Sequence, residues 1–257
     1  MSNIIAIAGK GGTGKTTLAA LIVRILKEEN SGSILAIDAD PNSNLGELLG
    51  VKDISTIVEI IDEISENPGQ VPRGITKDRF INLKVQESLN EEEGFDLLSM
   101  GRPEGPGCYC FANNMLREVI KKLMDNYSHV VIDNEAGMEH LSRRLVRIID
   151  TLFIISDTTA VGIRSASRIS KLADGLNIKI KNRFLILNKS KGNQDLLKAE
   201  IDKTALNLKK VLPLNEEIEG ASVKSKSIFE LSDKNLVLNS VRDIWKHQSR
   251  TGQGRLA

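Results

Sequence analysis

The stretch Gly9-Lys10-Gly11-Gly12-Thr13-Gly14-Lys15-Thr16-Thr17 follows the apolar run Ile4-Ile5-Ala6-Ile7-Ala8 and constrains the fold more than any other feature of the chain. It fits G-x-x-x-x-G-K-[ST], a pattern that binds phosphate when a strand leads into it and a helix leaves it. Glycines let the backbone curl so that successive N–H groups turn toward phosphate oxygens. A helix beginning near Thr16 adds the positive end of its dipole. In this pattern Lys15 reaches the β- and γ-phosphates and the Thr16 hydroxyl ligates Mg²⁺. Lys10, early in the loop, is a second lysine that the pattern does not require.

Apolar and helical periodicities alternate along the rest of the chain. Runs at Ile4–Ala8, Ser33–Ile37, Phe95–Ser99, His129–Ile132, Thr151–Ile155, Arg183–Leu187 and Lys209–Leu212 predict strands. Thr16–Glu29, Ile54–Glu66, Asn114–Asn126, Leu141–Ile149, Arg164–Leu176 and Gln194–Ala205 predict helices. Strands apolar at nearly every position are buried on both faces, so the expected fold is α/β, a mostly parallel sheet flanked by helices on both faces. One domain over residues 1–257 is expected. Pro68–Glu93, polar and acidic at Glu91-Glu92-Glu93, predicts a surface excursion that is part helix. Gly101–Cys110, rich in proline and glycine, predicts irregular structure until about Ala112.

Ligands of such sheets gather at the carboxyl ends of the strands. Four polar positions fall there. Asp38 and Asp40, in Ile37-Asp38-Ala39-Asp40-Pro41-Asn42, place one carboxylate toward the phosphates and metal and one toward the attacking water. Asp133 suits an outer role on Mg²⁺, and Gly137 lets a backbone N–H approach the γ-phosphate. Asn188 carries both a donor and an acceptor, which suits an adenine edge.

A net charge of +1 gives no electrostatic footprint for nucleic acid. No apolar run approaches the ~20 residues of a membrane span. The polar, glycine-containing end Lys246–Ala257 lacks an apolar face for membrane binding and is expected to be irregular. The chain enters a strand almost at once, with no leader-like segment, so a cytoplasmic location is expected.

With Lys10 and Lys15 bracketing the loop, the signature resembles the deviant Walker A motif. It marks the dimeric ATPases that include the septum-site regulator, the plasmid-partition ATPases and the nitrogenase iron protein. That resemblance implies two protomers closing over ATP, with Lys10 crossing to the partner's nucleotide. It implies that Asp40 orients the hydrolytic water, that Asp133 to Gly137 forms a switch, and that Asn188 and the segment around Pro213 hold adenine. Catalytic roles fall to Lys10, Lys15 and Asp40. Nucleotide contacts fall to Gly9, Gly11, Gly12, Thr13, Gly14, Thr16, Thr17, Asp38, Asp133, Gly137, Asn188 and Pro213.

Cys108 and Cys110 are the chain's two cysteines. A closed tetrahedral thiolate site wants four ligands, more than one chain owns. Two chains related by a two-fold axis pool them. Thiolates favour Zn²⁺, Cu(I) or an iron–sulfur cluster, and Ni²⁺ where the four sulfurs lie square-planar. Of the histidines, His129, His140 and His247 sit in other segments and none is spaced with the cysteines.

The stretch Gly101-Arg102-Pro103-Glu104-Gly105-Pro106-Gly107-Cys108-Tyr109-Cys110, with Asn134-Glu135-Ala136-Gly137-Met138-Glu139-His140-Leu141, resembles one branch closely. It is the nickel-insertion ATPases that mature carbon monoxide dehydrogenase and acetyl-CoA synthase (the CooC and AcsF type). The resemblance implies an ATP-dependent homodimer that holds Ni²⁺, or Zn²⁺ in its place, between its Cys-x-Cys pairs and delivers it to one of those client enzymes. Asn134 departs from the aliphatic residue or threonine common after the switch aspartate in the wider family. Two rivals use similar parts: a redox ATPase like the nitrogenase iron protein, with an interfacial iron–sulfur cluster, and a positioning ATPase of the partition or septum-site kind.

Overall fold

The computed structural model describes residues 2–40, 42, 44–59, 72, 74–101, 118–135, 146, 148–176, 178–192 and 194–253. One eight-stranded sheet organises them, in the order β3-β4-β2-β5-β1-β6-β7-β8. Its strands are β1 (Asn3–Gly9), β2 (Ile34–Ala39), β3 (Asn90–Glu92), β4 (Phe95–Ser99), β5 (His129–Asn134), β6 (Ile148–Asp157), β7 (Lys179–Ser190) and β8 (Asn207–Pro213). All neighbours pair in parallel except the short edge strand β3, which runs antiparallel to β4.

Alternate residues of each strand feed two cores, as a pleat with a two-residue period requires. Ala6, Ala8, Leu35, Ile37, Val130 and Ile132 face one. Ile5, Ile7, Ile34, Ala36 and Val131 face the other, where they meet α1 (Lys15–Glu28) and α7 (Leu236–Gln253). This explains the near-continuous apolar strands, and the α/β reading with a mostly parallel sheet stands. The remaining helices are α2 (Asn44–Leu49), α3 (Lys77–Glu87), α4 (Ala160–Gly175), α5 (Lys198–Asp202) and α6 (Glu216–Val223), with helical turns also at 57–59 and 118–124.

Several expectations need correction. The helix over Leu141–Ile149 is wrong at its end: Ile148 and Ile149 already belong to β6, paired with Lys179 and Ile180. Isoleucine runs suit a buried strand as well as a helix face, so periodicity alone misassigned them. The excursion at Pro68–Glu93 is part helix, as expected, but its helix α3 is no surface feature, since it buries Phe80, Ile81 and Val85 against the core. The Gln194–Ala205 helix splits into a 3₁₀ turn at Gln194–Leu197 followed by α5. At the C-terminal end α7 continues to Gln253, so residues 246–253, expected to be irregular, are helical. The stretch Ala160–Gly175 starts earlier than its apolar pattern because the Thr159 side chain caps it, accepting from Gly162 N.

α1 is bound to the far side of the molecule through Arg24, which is 4% exposed. Its guanidinium donates to the carbonyls of Ile228 (2.8 Å) and Leu231 (2.9 Å) and to the carboxylates of Glu28 (2.6 Å) and Asp233 (2.8 Å). Arg242 of α7 joins the same two carboxylates. The segment leading into α7 is thereby held against the helix that starts at the glycine loop.

Candidate nucleotide site

The glycine loop runs between β1 and α1, as its sequence predicts. Gly12 (φ 77°) and Gly14 (φ 97°) occupy the left-handed region, where a side chain is strained. A Cβ on Gly11 or Gly12 would meet nothing within 4 Å, so the loop is open on that side. Gly9 lacks a side chain for a further reason: a Cβ there would stand 2.4 Å from the Ile155 carbonyl, so this glycine admits β6. Thr13 turns inward, its hydroxyl donating to the Lys10 carbonyl at 2.8 Å and closing the loop on itself. Lys15 is buried, with its ammonium 3.5 Å from the same carbonyl. Lys10 itself is exposed.

Loop and strand ends line one cleft of about 870 Å³. Its floor carries Gly11, Gly12, Gly14, Lys15, Thr16 and Thr17; its sides carry Asp40, Glu135, Asn188, Lys189 and Pro213. The far wall is formed by Leu212, Asn215, Ile218, Glu219, Ser222 and Val223. Beyond the segment around Pro213, sequence reasoning missed that wall, since α6 fully buries none of its residues and offers no apolar stripe. The available signal was Asn215, whose side chain caps α6 by accepting from Ile218 N at 3.0 Å.

Register places Ser99, Asp38 and Asp133 side by side on β4, β2 and β5. All three are fully buried. Asp38 is satisfied by backbone: its oxygens accept from Asp40 N (3.1 Å) and Leu45 N (2.8 Å), which shapes the turn into α2. Each oxygen thus holds one backbone N–H and keeps a further lone pair on the side of Asp133 and the cleft. Burial pushes its carboxyl up to about 7, against those backbone bonds, with the nearby Asp133 charge adding to the rise.

Asp133 differs. Among the described residues neither of its oxygens accepts a hydrogen bond of good geometry. Burial raises its carboxyl to about 6, while the Thr16 hydroxyl and the Lys15 ammonium favour the charged form and Asp40 opposes it. A buried carboxylate beside a hydroxyl and an ammonium suits an outer position around a cation that the hydroxyl would hold. Asp40 is oriented at the cleft's side by Asn42, whose N–H and amide both donate to Oδ1 at 2.9 Å.

Asn188 lines the cleft, but its amide donates to the Thr13 carbonyl at 2.9 Å. The expected role at an adenine edge is therefore narrowed: one amide N–H is committed to the glycine loop. Asn134, past the aspartate, points to the opposite face and donates to the Ile7 carbonyl at 2.8 Å. Cys108, Cys110 and Gly137 lie outside the described residues. Among the described residues no group of three His, Cys, Asp or Glu side chains could hold a metal ion, and no helix is long and apolar enough to cross a membrane.

A parallel sheet with a glycine loop at the end of a central strand, opening onto acidic strand ends, defines a P-loop nucleoside triphosphatase. Residues 4–228 match the CobQ/CobB/MinD/ParA nucleotide binding domain, and the chain belongs to that family. It is an ATPase of the MinD/ParA kind. It is 41% identical over 244 residues to an uncharacterized ATP-binding protein of Methanocaldococcus jannaschii, covering 94% of this chain and 96% of that one. It is 32% identical over 189 residues to the carbon monoxide dehydrogenase accessory protein CooC of Rhodospirillum rubrum, covering 68% of this chain and 70% of the relative. The fold matches the septum site-determining protein MinD of Pyrococcus horikoshii, solved with Mg-ADP, at a TM-score of 0.70 and 20% identity over 98% of each chain.

Proposed function

We propose that this ATPase is a nickel chaperone: a homodimer that carries Ni²⁺ between paired Cys108-Tyr109-Cys110 segments and delivers it to carbon monoxide dehydrogenase or acetyl-CoA synthase. The observation that carries the reading is one Cys-x-Cys per chain in a deviant Walker A ATPase. The similarity to the Rhodospirillum rubrum accessory protein supports it. Each chain owns half of a four-thiolate site, so metal is held only while two protomers stay in register. A change in that register on hydrolysis links metal affinity to nucleotide state. The metal is cargo, and Zn²⁺ competes for the same sulfurs.

At the nucleotide, Lys15 would reach the β- and γ-phosphates and the Thr16 hydroxyl would hold Mg²⁺, with Asp133 behind it in an outer role. Once bound there, Mg²⁺ neutralises charge on the transferring phosphoryl group. Asp40 orients the water that attacks the γ-phosphorus, breaking the bond to the bridging oxygen and leaving ADP and phosphate. Exposed Lys10 crosses to the partner's triphosphate, and the Gly137 N–H approaches the γ-phosphate. Asn188 and Pro213 flank the base. Catalysis is positioning and charge stabilisation, without a covalent intermediate. Rivals with an iron–sulfur cluster or a positioning role share this nucleotide machinery and part company at the cysteines.

Cys108→Ser or Cys110→Ser is expected to abolish tight Ni²⁺ and Zn²⁺ binding while ATP binding by calorimetry stays near parental. Unchanged metal stoichiometry in the double variant contradicts the reading. A visible iron–sulfur absorption in anaerobically purified protein transfers the cysteines to the redox rival.

A further inference from the structure

Strand β7 ends on two side chains that both reach back to the glycine loop. Asn188 Nδ2 donates to the Thr13 carbonyl at 2.9 Å. The next residue, Lys189, donates from Nζ to the Gly12 carbonyl at 3.1 Å. The loop and β7 are far apart in sequence, and only the sheet order brings them together. Gly14 is fitted to the same contact: a Cβ there would come within 2.4 Å of Asn188 Nδ2.

The backbone at Lys189 is unusual for its residue type. Its φ is 56°, in the left-handed region that a lysine enters only at a cost. No glycine or asparagine, which would remove most of that cost, stands there. The strained turn carries the ammonium to Gly12, and such outliers persist where surrounding contacts over-determine them.

We infer that Lys189, with Asn188, is a positioning residue that sets the phosphate loop for its triphosphate before the nucleotide arrives. The trans peptide is planar, so a carbonyl and the following N–H point in opposite directions. Tying the Gly12 carbonyl toward β7 turns the Thr13 N–H away from that strand. Tying the Thr13 carbonyl does the same for the Gly14 N–H. The Thr13 N–H is held only by a long 3.4 Å contact to the Lys10 carbonyl, so it is easily redirected to a stronger acceptor. A glycine-rich loop without these anchors would order its N–H groups only on binding, at an entropic cost. The role is independent of which metal the cysteines carry, or whether they carry one.

The test uses the full-length protein with ATP and ADP titrated by calorimetry, alongside melting of the nucleotide-free form. Lys189→Gly relieves the turn and deletes the ammonium; Lys189→Asn also tolerates the turn but cannot span to Gly12. Both are expected to bind either nucleotide about tenfold more weakly, the size of a lost charge-assisted hydrogen bond, while the nucleotide-free melting temperature holds or rises. Lys189→Arg is expected to recover most of the affinity. Affinities within about twofold of parental in both variants overturn the inference. So does a loss of affinity matched by a fall in nucleotide-free melting temperature, which marks a merely structural lysine.

Discussion

Asp38 and Asp133 occupy matching positions on neighbouring strands, yet their surroundings give them different work. The backbone N–H groups of Asp40 and Leu45 engage Asp38, whereas Asp133 accepts no backbone N–H of good geometry and has the Thr16 hydroxyl and Lys15 ammonium beside it. Both carboxyls are raised chiefly by burial, from 3.8 to about 7 and about 6. The folded chain therefore holds protons that the unfolded chain releases between about pH 4 and pH 7. Stability from these groups is fully present below that window and lost as pH rises through it. Melting of the nucleotide-free protein should fall across this window, and Asp133→Asn should flatten the part of the slope between about pH 4 and pH 6. A slope unaltered by the substitution removes Asp133 as its source. Asp40 is held at the cleft's side by Asn42 rather than buried, so removing it costs little stability. Asp40→Ala should slow ATP hydrolysis by about a hundredfold or more while nucleotide binding persists, as for loss of a water-orienting group. Hydrolysis at the parental rate would dismiss that role.

Among the elements, α1 links the phosphate loop to the segment that leads into α7. Lys15 and Thr16 begin the helix, and Arg24 in its middle holds the segment of Ile228, Leu231 and Asp233 that runs on into α7. Arg24→Ala would strand the buried carbonyls of Ile228 and Leu231, while the carboxylates of Glu28 and Asp233 keep Arg242. The expected loss is about 2 kcal/mol, read by denaturant unfolding, because two buried carbonyls lose their donor. A change below about 0.5 kcal/mol would show that the network is dispensable. The strands and the loop were legible in the sequence because burial on both faces writes continuous apolar runs, and because phosphate binding fixes glycine and lysine positions. α2 and α6 were not: each is short, and α6 fully buries none of its residues, so no stripe marks it. Asn188 was read as a base contact because the sequence shows a strand ending in asparagine but not which loop faces it. The Lys189 contact depends on the sheet order and a left-handed turn, neither of which residue pattern records.

For the whole molecule, the sheet gathers the glycine loop, Asp40, Glu135, Asn188 and Pro213 around one cleft, and exposed Lys10 stands beside it at the molecular surface. Under the proposed function the cleft is half of a symmetric assembly, and the thiolates are divided in the same way. Metal retention and protomer association then rise and fall together with nucleotide state. Zinc or nickel held by a single chain would find only two of the four sulfurs that a closed site requires. The most direct measurement is light-scattering chromatography with in-line metal analysis of the anaerobic protein, with and without ATP and Ni²⁺. The account predicts a dimer carrying one Ni²⁺ per two chains, with the metal lost when Cys108→Ser is introduced. A chain that remains monomeric under every combination, or that binds Ni²⁺ one to one as a monomer, contradicts it.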